Sequence, residues 1–175
     1  VALNRELAVS WDGGAQTVDV TYFNNKVKQL IDWAPTPSGW WAPSNVGSAR
    51  FEGVELAYGV SVDGYALKAG VDYLDAKDGD GNRLPRRGEV SGFARLDKSA
   101  GAWNWGMEWS GAGERYEDEL NTDRLAGYGL FNAYAHYQLA PDWRLEMRAN
   151  NILDKDYQLA RGCRTDGANV FVGVR

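Results

Sequence analysis

The stretch from Ala102 to Gly111 constrains the fold more than any other part of this chain. Trp103, Trp105, Met107 and Trp109 alternate there with Asn104, Gly106, Glu108 and Ser110. A period of two therefore makes one face wholly apolar and the other polar or small, which is the pattern of a strand lying between two different environments. The same split recurs in Trp143 to Asn150, where Trp143, Leu145, Met147 and Ala149 oppose Arg144, Glu146, Arg148 and Asn150. It recurs again in Tyr65 to Tyr73, with Tyr65, Leu67, Ala69, Val71 and Tyr73 on one side. Weaker versions run through Val18, Val20 and Tyr22, through Val54, Leu56, Tyr58 and Val60, through Phe131 to Leu139, and through Val170, Val172 and Val174.

These patterns predict nine strands, about Leu3 to Trp11, Gln16 to Trp33, Asn45 to Val62, Tyr65 to Lys77, Gly88 to Lys98, Ala102 to Tyr116, Gly127 to Leu139, Trp143 to Asn151 and Asn169 to Arg175. The connections are of two kinds. Asp12 to Ala15, Asp63 to Gly64, Ser99 to Gly101 and Ala140 to Asp142 have the Gly, Asp, Ser and Pro content of tight turns. Alternating with them are long loops at Ala34 to Ser44, Asp78 to Arg87, Glu117 to Ala126 and about Ala160 to Ala168. A short-long rhythm along an antiparallel, up-and-down meander is the pattern of an all-β transmembrane barrel. A soluble sandwich or a small self-contained barrel with an apolar cavity also alternates, but its water-facing side should be rich in Lys, Glu and Thr. Here the polar face holds much Gly, Ala, Asn and Ser, and Tyr65, Trp103, Trp109, Tyr137 and Trp143 sit toward strand ends, as aromatic girdles do.

Composition narrows the function classes. The 175 residues carry 19 Lys and Arg against 24 Asp and Glu, a formal charge of -5, which disfavours a nucleic-acid partner. Cys163 and His136 are the single Cys and His, so a disulfide framework, a Cys/His zinc site or a Cys–His dyad has almost no material. Neither a cofactor nor a catalytic residue is expected. The longest uncharged stretch, Leu125 to Pro141, is broken by Asn132, His136 and Gln138, so no helix is expected to span a membrane. The chain opens on Val1 with nothing resembling a signal peptide before the first strand, as expected of a processed chain or a piece of a longer one.

Four motifs add a resemblance. Asn151-Ile-Leu-Asp-Lys-Asp-Tyr157, between a strand begun at Trp143 and a terminal strand, resembles the C-terminal stretch of TonB-dependent outer-membrane receptors. Asn45-Val-Gly-Ser-Ala-Arg-Phe-Glu-Gly-Val-Glu55 resembles a strand motif of the same family, and Leu84-Pro-Arg-Arg87 and Glu114-Arg-Tyr-Glu-Asp118 are similar to it in order and spacing. The resemblance spans essentially all 175 residues, and Asp154-Lys-Asp-Tyr157 looks most like the cobalamin receptors. The last loop, which usually carries aromatics in those receptors, reads Arg161-Gly-Cys-Arg-Thr-Asp-Gly167 here, so siderophore receptors stay open as the alternative. The resemblance implies a bacterial outer-membrane location and a single barrel of twenty-two strands around an N-terminal plug. Nine strands are then the C-terminal part of that barrel, residues 1–175, with the plug, the TonB box and the terminal aromatic lying elsewhere in the protein. The implied partners are outer-membrane lipid, the plug, the TonB energy-coupling protein and a scarce small-molecule nutrient.

Candidate sites follow by position. Trp40 and Trp41 lie in a long loop, as ligand contacts or interfacial anchors; Arg161 and Arg164 lie in the last loop, suited to an anionic or amide-bearing ligand; Tyr116, Asp118 and Tyr128 border the loop beside it. Asp78, Asp80, Asn82 and Glu89 approximate a calcium loop, although Arg83 stands where that loop needs Gly, and a solvated hairpin loop is the plainer reading. His136, Arg144, Glu146 and Arg148 are expected to face the lumen. Cys163 is read as incidental, with reactivity or a partner elsewhere as the alternatives.

Overall fold

A computed structural model describes residues 2–29, 31–36, 38–45 and 47–175. The strands are β1 (Ala2–Asp12), β2 (Gln16–Lys28), β3 (Ile31–Pro35), β4 (Trp41–Asn45), β5 (Ser48–Val62), β6 (Tyr65–Asp78), β7 (Val90–Ala100), β8 (Trp103–Ala112), β9 (Arg115–Tyr116), β10 (Arg124–Leu125), β11 (Tyr128–Ala140), β12 (Trp143–Asn150) and β13 (Asn169–Val174). Nine of them form one antiparallel sheet in the order β1-β2-β5-β6-β7-β8-β11-β12-β13. Every neighbour pair is joined by the chain segment directly between them, so the sheet is the expected up-and-down meander.

Two of the expected strands end well short of their predicted ends. The run expected from Gln16 to Trp33 stops at Lys28, where Gln29 takes a positive φ of 61° and its amide donates to the Gly47 carbonyl at 2.5 Å. That bond closes the β2–β5 pair, and the following apolar residues form a separate hairpin, β3 on β4, inside the first long loop. The run expected from Ala102 to Tyr116 ends at Ala112, and Arg115–Tyr116 pairs instead with Arg124–Leu125 in a small hairpin of its own. Alternation alone marks neither break, although Gly113 and Glu114 after Ala112 are poor strand formers. The expected start at Gly88 moves to Val90, and the expected start at Asn45 moves to Ser48.

Register carries the alternation across the sheet. One row runs Trp11, Val18, Tyr58, Ala69, Ala94, Trp109 and Phe131, and another runs Val60, Leu67, Leu96, Met107, Ala133, Ala149 and Val170. The apolar positions of β5, from Val54 to Val62, extend about 27 Å along the strand, or about 20 Å along the normal for a tilt near 45°. This compares with the apolar band of about 25 Å that faces lipid in such barrels.

The other face has no hydrophobic core that could answer it. Among the described residues no large side chain is fully buried, and Leu7, Val9, Leu56, Val71, Met107, Phe131 and Val172 are all exposed. A contiguous apolar surface of this extent calls for another apolar medium against it. Polar and charged side chains occupy the opposite face, where Arg95 Nε bonds Asp97 at 2.8 Å, Arg95 lies 3.6 Å from Glu108, and Arg148 reaches Glu108 at 2.5 Å. His136, Arg144, Glu146 and Arg148 fall on this face in register, as expected. Three aromatic rings also lie there, each flat on a glycine of the next strand: Phe23 on Gly53, Phe93 on Gly70 and Tyr134 on Gly106. Aromatic cover of this kind shields glycine backbone that a side chain would otherwise protect.

The short connections lie at one rim. Asp63 and Gly64 between β5 and β6 both have positive φ, 49° and 73°, the two-residue turn whose twist matches the strands it joins. All four long connections lie at the other rim, and they build the site.

Candidate functional site: the long-loop rim

The loop after β6 folds inward. Leu84, 2% exposed, packs on Ala49, Ala76, Phe51 and Leu74, all on the polar side of the sheet, and its amide donates to the Ala76 carbonyl at 2.9 Å. This apolar plug is small, but it anchors the loop over the lumenal end of β5 and β6. From there Arg83 and Asn121 exchange hydrogen bonds, Arg83 N to Asn121 Oδ1 at 2.8 Å and Asn121 Nδ2 to Arg83 O at 2.9 Å. The Arg86 amide donates to the Tyr116 carbonyl at 2.6 Å. The second and third loops are thereby joined.

Glu117 is the hub of the cluster. It is 8% exposed, accepts from Arg86 Nε at 2.8 Å through one oxygen and from the Arg161 amide at 3.0 Å through the other. Arg161 then reaches Asp123, with Nε at 3.0 Å from Oδ2, and donates to the Arg124 carbonyl at 3.0 Å. Arg86 also lies over the Trp41 ring, 4.9 Å from its centroid, so the first loop joins the same group. Arg115, 4% exposed, donates to the Gln158 carbonyl and to the Leu159 carbonyl at 3.4 Å and lies over Tyr128, which stacks on Tyr157 at 4.7 Å.

The last loop is shaped by Asn151 of the motif Asn151 to Tyr157. Its own amide donates to Asn132 Oδ1 at 2.9 Å; its side chain accepts from the Lys155 amide at 2.9 Å and donates to the carbonyls of Lys155 and Asp166 at 3.0 and 3.3 Å. Asp154 accepts from the Ala168 amide at 2.9 Å, closing the far end of the loop. The motif is thus a set of side-chain caps for backbone that belongs to no strand. Two of the open clefts that flank it lie among the loops. One, of about 510 Å³, is lined by Asp154 to Gln158 and Gly162 to Gly167; the other, of about 330 Å³, includes Arg124, Lys155, Tyr157 and Arg161.

Asp118, Asp123 and Arg161 are held in their charged forms. Hydrogen bonds from Arg161 depress the Asp123 carboxyl below its ordinary value, and the guanidinium of Arg161 is raised by the same bond. Desolvation pushes Asp118 up, but the amides of Asp123 and Thr122 and the Thr122 hydroxyl outweigh it, and the net shift is downward.

The sequence-chosen residues have unequal roles. Arg161, Tyr116, Tyr128 and Trp41 belong to the cluster, with Tyr116 under Arg83 at 5.7 Å. Trp40 is 77% exposed, and Arg164 is exposed with no side-chain partner among the described residues. Asp118 is a turn cap, taking the Thr122 amide at 2.9 Å and the Asp123 amide at 2.7 Å. The calcium pattern is used internally: Asp78 Oδ1 accepts the amides of Asp80 and Asn82 at 2.9 Å each, and Glu89 pairs with Arg83. No group of three metal-ligating side chains is assembled among the described residues. Cys163 is exposed and free. Glu117, Arg115, Arg86 and Tyr157 were missed as site residues. Their sequence signal was membership of the motifs Leu84 to Arg87, Glu114 to Asp118 and Asn151 to Tyr157, which does not say which of those side chains tertiary contacts will bury.

The sheet's apolar outer band, its polar inner face and its interlocked loops at one rim are those of a section of an outer-membrane β-barrel wall. The family profile described as "TonB dependent receptor-like, beta-barrel" matches residues 1–152, and the chain belongs to that family. It is accordingly a bacterial outer-membrane protein, and its family is one of receptors and transporters. Among curated relatives it is 33% identical over 161 residues to the vitamin B12 transporter BtuB of Photobacterium profundum, covering 88% of this chain and 27% of that protein. It is 28% identical to the vitamin B12 transporter BtuB of Vibrio vulnificus, covering 89% of this chain and 25% of that one. The chain thus spans about a quarter of the curated relatives it matches. Among solved structures, the copper transporter OprC superposes with a TM-score of 0.82 at 19% identity, over 99% of this chain and 30% of that one. The siderophore receptor PiuA of Acinetobacter baumannii does so with 0.80 at 21%, over 99% and 28%. These likenesses establish the fold.

Proposed function

We propose that residues 1–175 form the C-terminal part of the barrel wall of a receptor that imports a scarce nutrient, cobalamin first, with a plug and a TonB box elsewhere in the protein. The observation that carries this reading is the 33% identity to a vitamin B12 transporter over nearly the whole of this chain. The interlocked long-loop rim supports it, since a ligand-binding surface benefits from loops held in place before the ligand arrives. In this reading the loops hold the ligand outside, and the energy-coupling protein acts on the plug through the TonB box. The polar inner face, with Arg95, Glu108 and Arg148, is the surface against which the plug rests. The exposed Arg164, which has no side-chain partner among the described residues, favours one alternative, an anionic ferric chelate.

The experiment is equilibrium binding of cyanocobalamin to the whole receptor that carries this chain, with a panel of ferric siderophores alongside. Saturable cobalamin binding, competed by unlabelled cobalamin, is the expected result. Saturable binding of a siderophore without cobalamin binding would replace the first reading by the second.

A further inference from the structure

Arg86 and Arg87 are the one pair of adjacent basic residues in the sequence, and no proline follows either of them. They lie in a turn of the second long loop, where both are exposed and the Arg86 side chain keeps 46% of its accessible area. Exposed loop tips are where proteolytic nicking concentrates. A bond between two guanidinium side chains at such a tip suits an endoprotease whose pockets hold basic residues with carboxylates.

The fold withholds this bond in three ways. Its backbone has the wrong shape, because Arg86 takes a φ of 60° whereas a protease reads its substrate as an extended strand. The chain on both sides is pinned. The Leu84 amide donates to the Ala76 carbonyl at 2.9 Å, the Arg86 amide to the Tyr116 carbonyl at 2.6 Å, and the Leu74 amide to the Glu89 carbonyl at 2.7 Å. Both side chains are also occupied. Arg86 Nε donates to Glu117 at 2.8 Å with its guanidinium 4.9 Å from the Trp41 centroid, and Arg87 lies 5.3 Å from that of Phe51. Glu117 thereby gives Arg86 the carboxylate that a protease pocket would give it. Since Glu117 and Trp41 belong to two other loops, exposure of the bond depends on the order of the whole rim.

We propose that the Arg86–Arg87 bond is a masked cleavage site for a cell-surface endoprotease that reads paired basic residues, and that it is unmasked when the rim unlatches. The step is hydrolysis. The bond from the Arg86 carbonyl carbon to the Arg87 nitrogen breaks, and water leaves a carboxylate on Arg86 and an amine on Arg87. The nick does not divide the sheet, because β6 and β7 stay paired from Tyr65 with Lys98 to Tyr73 with Val90. It separates the Leu84 anchor from β7 and frees the loop that Glu117 holds. Orientation comes from the family; the inference does not depend on which nutrient is carried.

The test treats the whole receptor with a purified outer-membrane protease that cuts between paired basic residues, beside a free peptide of residues 80–92. N-terminal sequencing identifies the fragment that begins at Arg87. When a loop recloses faster than it is cut, the rate follows the open population. The peptide is expected to be cut roughly a hundredfold faster than the wild-type receptor. Glu117→Gln is expected to raise the receptor's rate roughly ten- to a hundredfold and Trp41→Ala roughly threefold. Adding Arg87→Gln to Glu117→Gln should abolish the fragment. Heat-modifiable migration reports barrel closure, and Trp41→Ala, whose side chain is exposed, carries the comparison should Glu117→Gln fail to close. An uncut peptide overturns the proposal, as does a wild-type receptor cut as fast as the peptide. Wild-type rates in both unmasking variants overturn it too, as does a fragment that persists with Arg87→Gln.

Discussion

Tyr134 on β11 lies across Gly106 on β8 so closely that a methyl group at the glycine would stand 2.5 Å from the phenol ring. The ring is held there by its hydroxyl, which receives Arg95 Nη2 at 2.7 Å and donates to Asp97. Gly106 is therefore the seat of an inner-face network that ties β7, β8 and β11 together. Gly106→Ala is expected to displace the ring and to destabilise the whole receptor by about 1–3 kcal/mol, with Tyr134→Phe costing less. Urea unfolding in lipid measures both, and equal stability of Gly106→Ala and wild type would refute the argument.

The period of two makes a sharper comparison on β5. Leu56 faces lipid and Ala57 faces the lumen, both exposed to their own surroundings. Leu56→Arg is expected to cost about 2–4 kcal/mol and Ala57→Arg less than about 1 kcal/mol. If the two arginines cost the same, the assignment of the faces is wrong.

The latch between Arg161 and Asp123 has a definite pH window. Asp118 and Asp123 both have carboxyls depressed in the folded loop, so their contribution is present above the unfolded value, near 4. It is lost as pH falls through the lower folded values. Spin labels at the exposed Leu120 and at the native, exposed Cys163 of the whole receptor should therefore keep one distance from neutral pH to about 4 and broaden below it. In Asp123→Asn the broadening should already be present at neutral pH.

Glu117 holds two loops at once, and its replacement tests whether loop order serves binding. Glu117→Gln leaves Arg86 without its carboxylate and weakens the loops by about 1–3 kcal/mol. Hydrogen exchange at 158–164 should quicken, and ligand affinity of the whole receptor should fall roughly tenfold. Arg164→Ala, which disturbs no internal contact, should lower affinity without changing exchange. Unchanged affinity in both variants would remove this rim from the binding surface.

Much of the fold was legible because alternation is a local property. Trp103 to Trp109 and Leu145 to Ala149 name their own face wherever the strand sits, and Asp63-Gly64 names its own turn. The breaks at Gln29 and after Ala112 were not legible, because they depend on a bond to Gly47 and on the pairing of Arg115 with Leu125. Among site residues, the exposed aromatics and arginines of the long loops could be chosen by position. Glu117 and Arg115 could not, since their side-chain hydrogen-bond partners are 31 to 44 residues away in the chain.

By itself, then, the sequence determined the period of the strands, the side of the sheet that seeks lipid, the alternation of short and long connections, and the family motifs. The side-chain period of a strand and the backbone demands of a tight turn act within a few residues, so they can be read from one stretch at a time. Tertiary structure decided which carboxylate joins three loops and which rings lie on which glycines. Those outcomes follow from register, and a shift of one residue on one strand would move every member of a row to the other face.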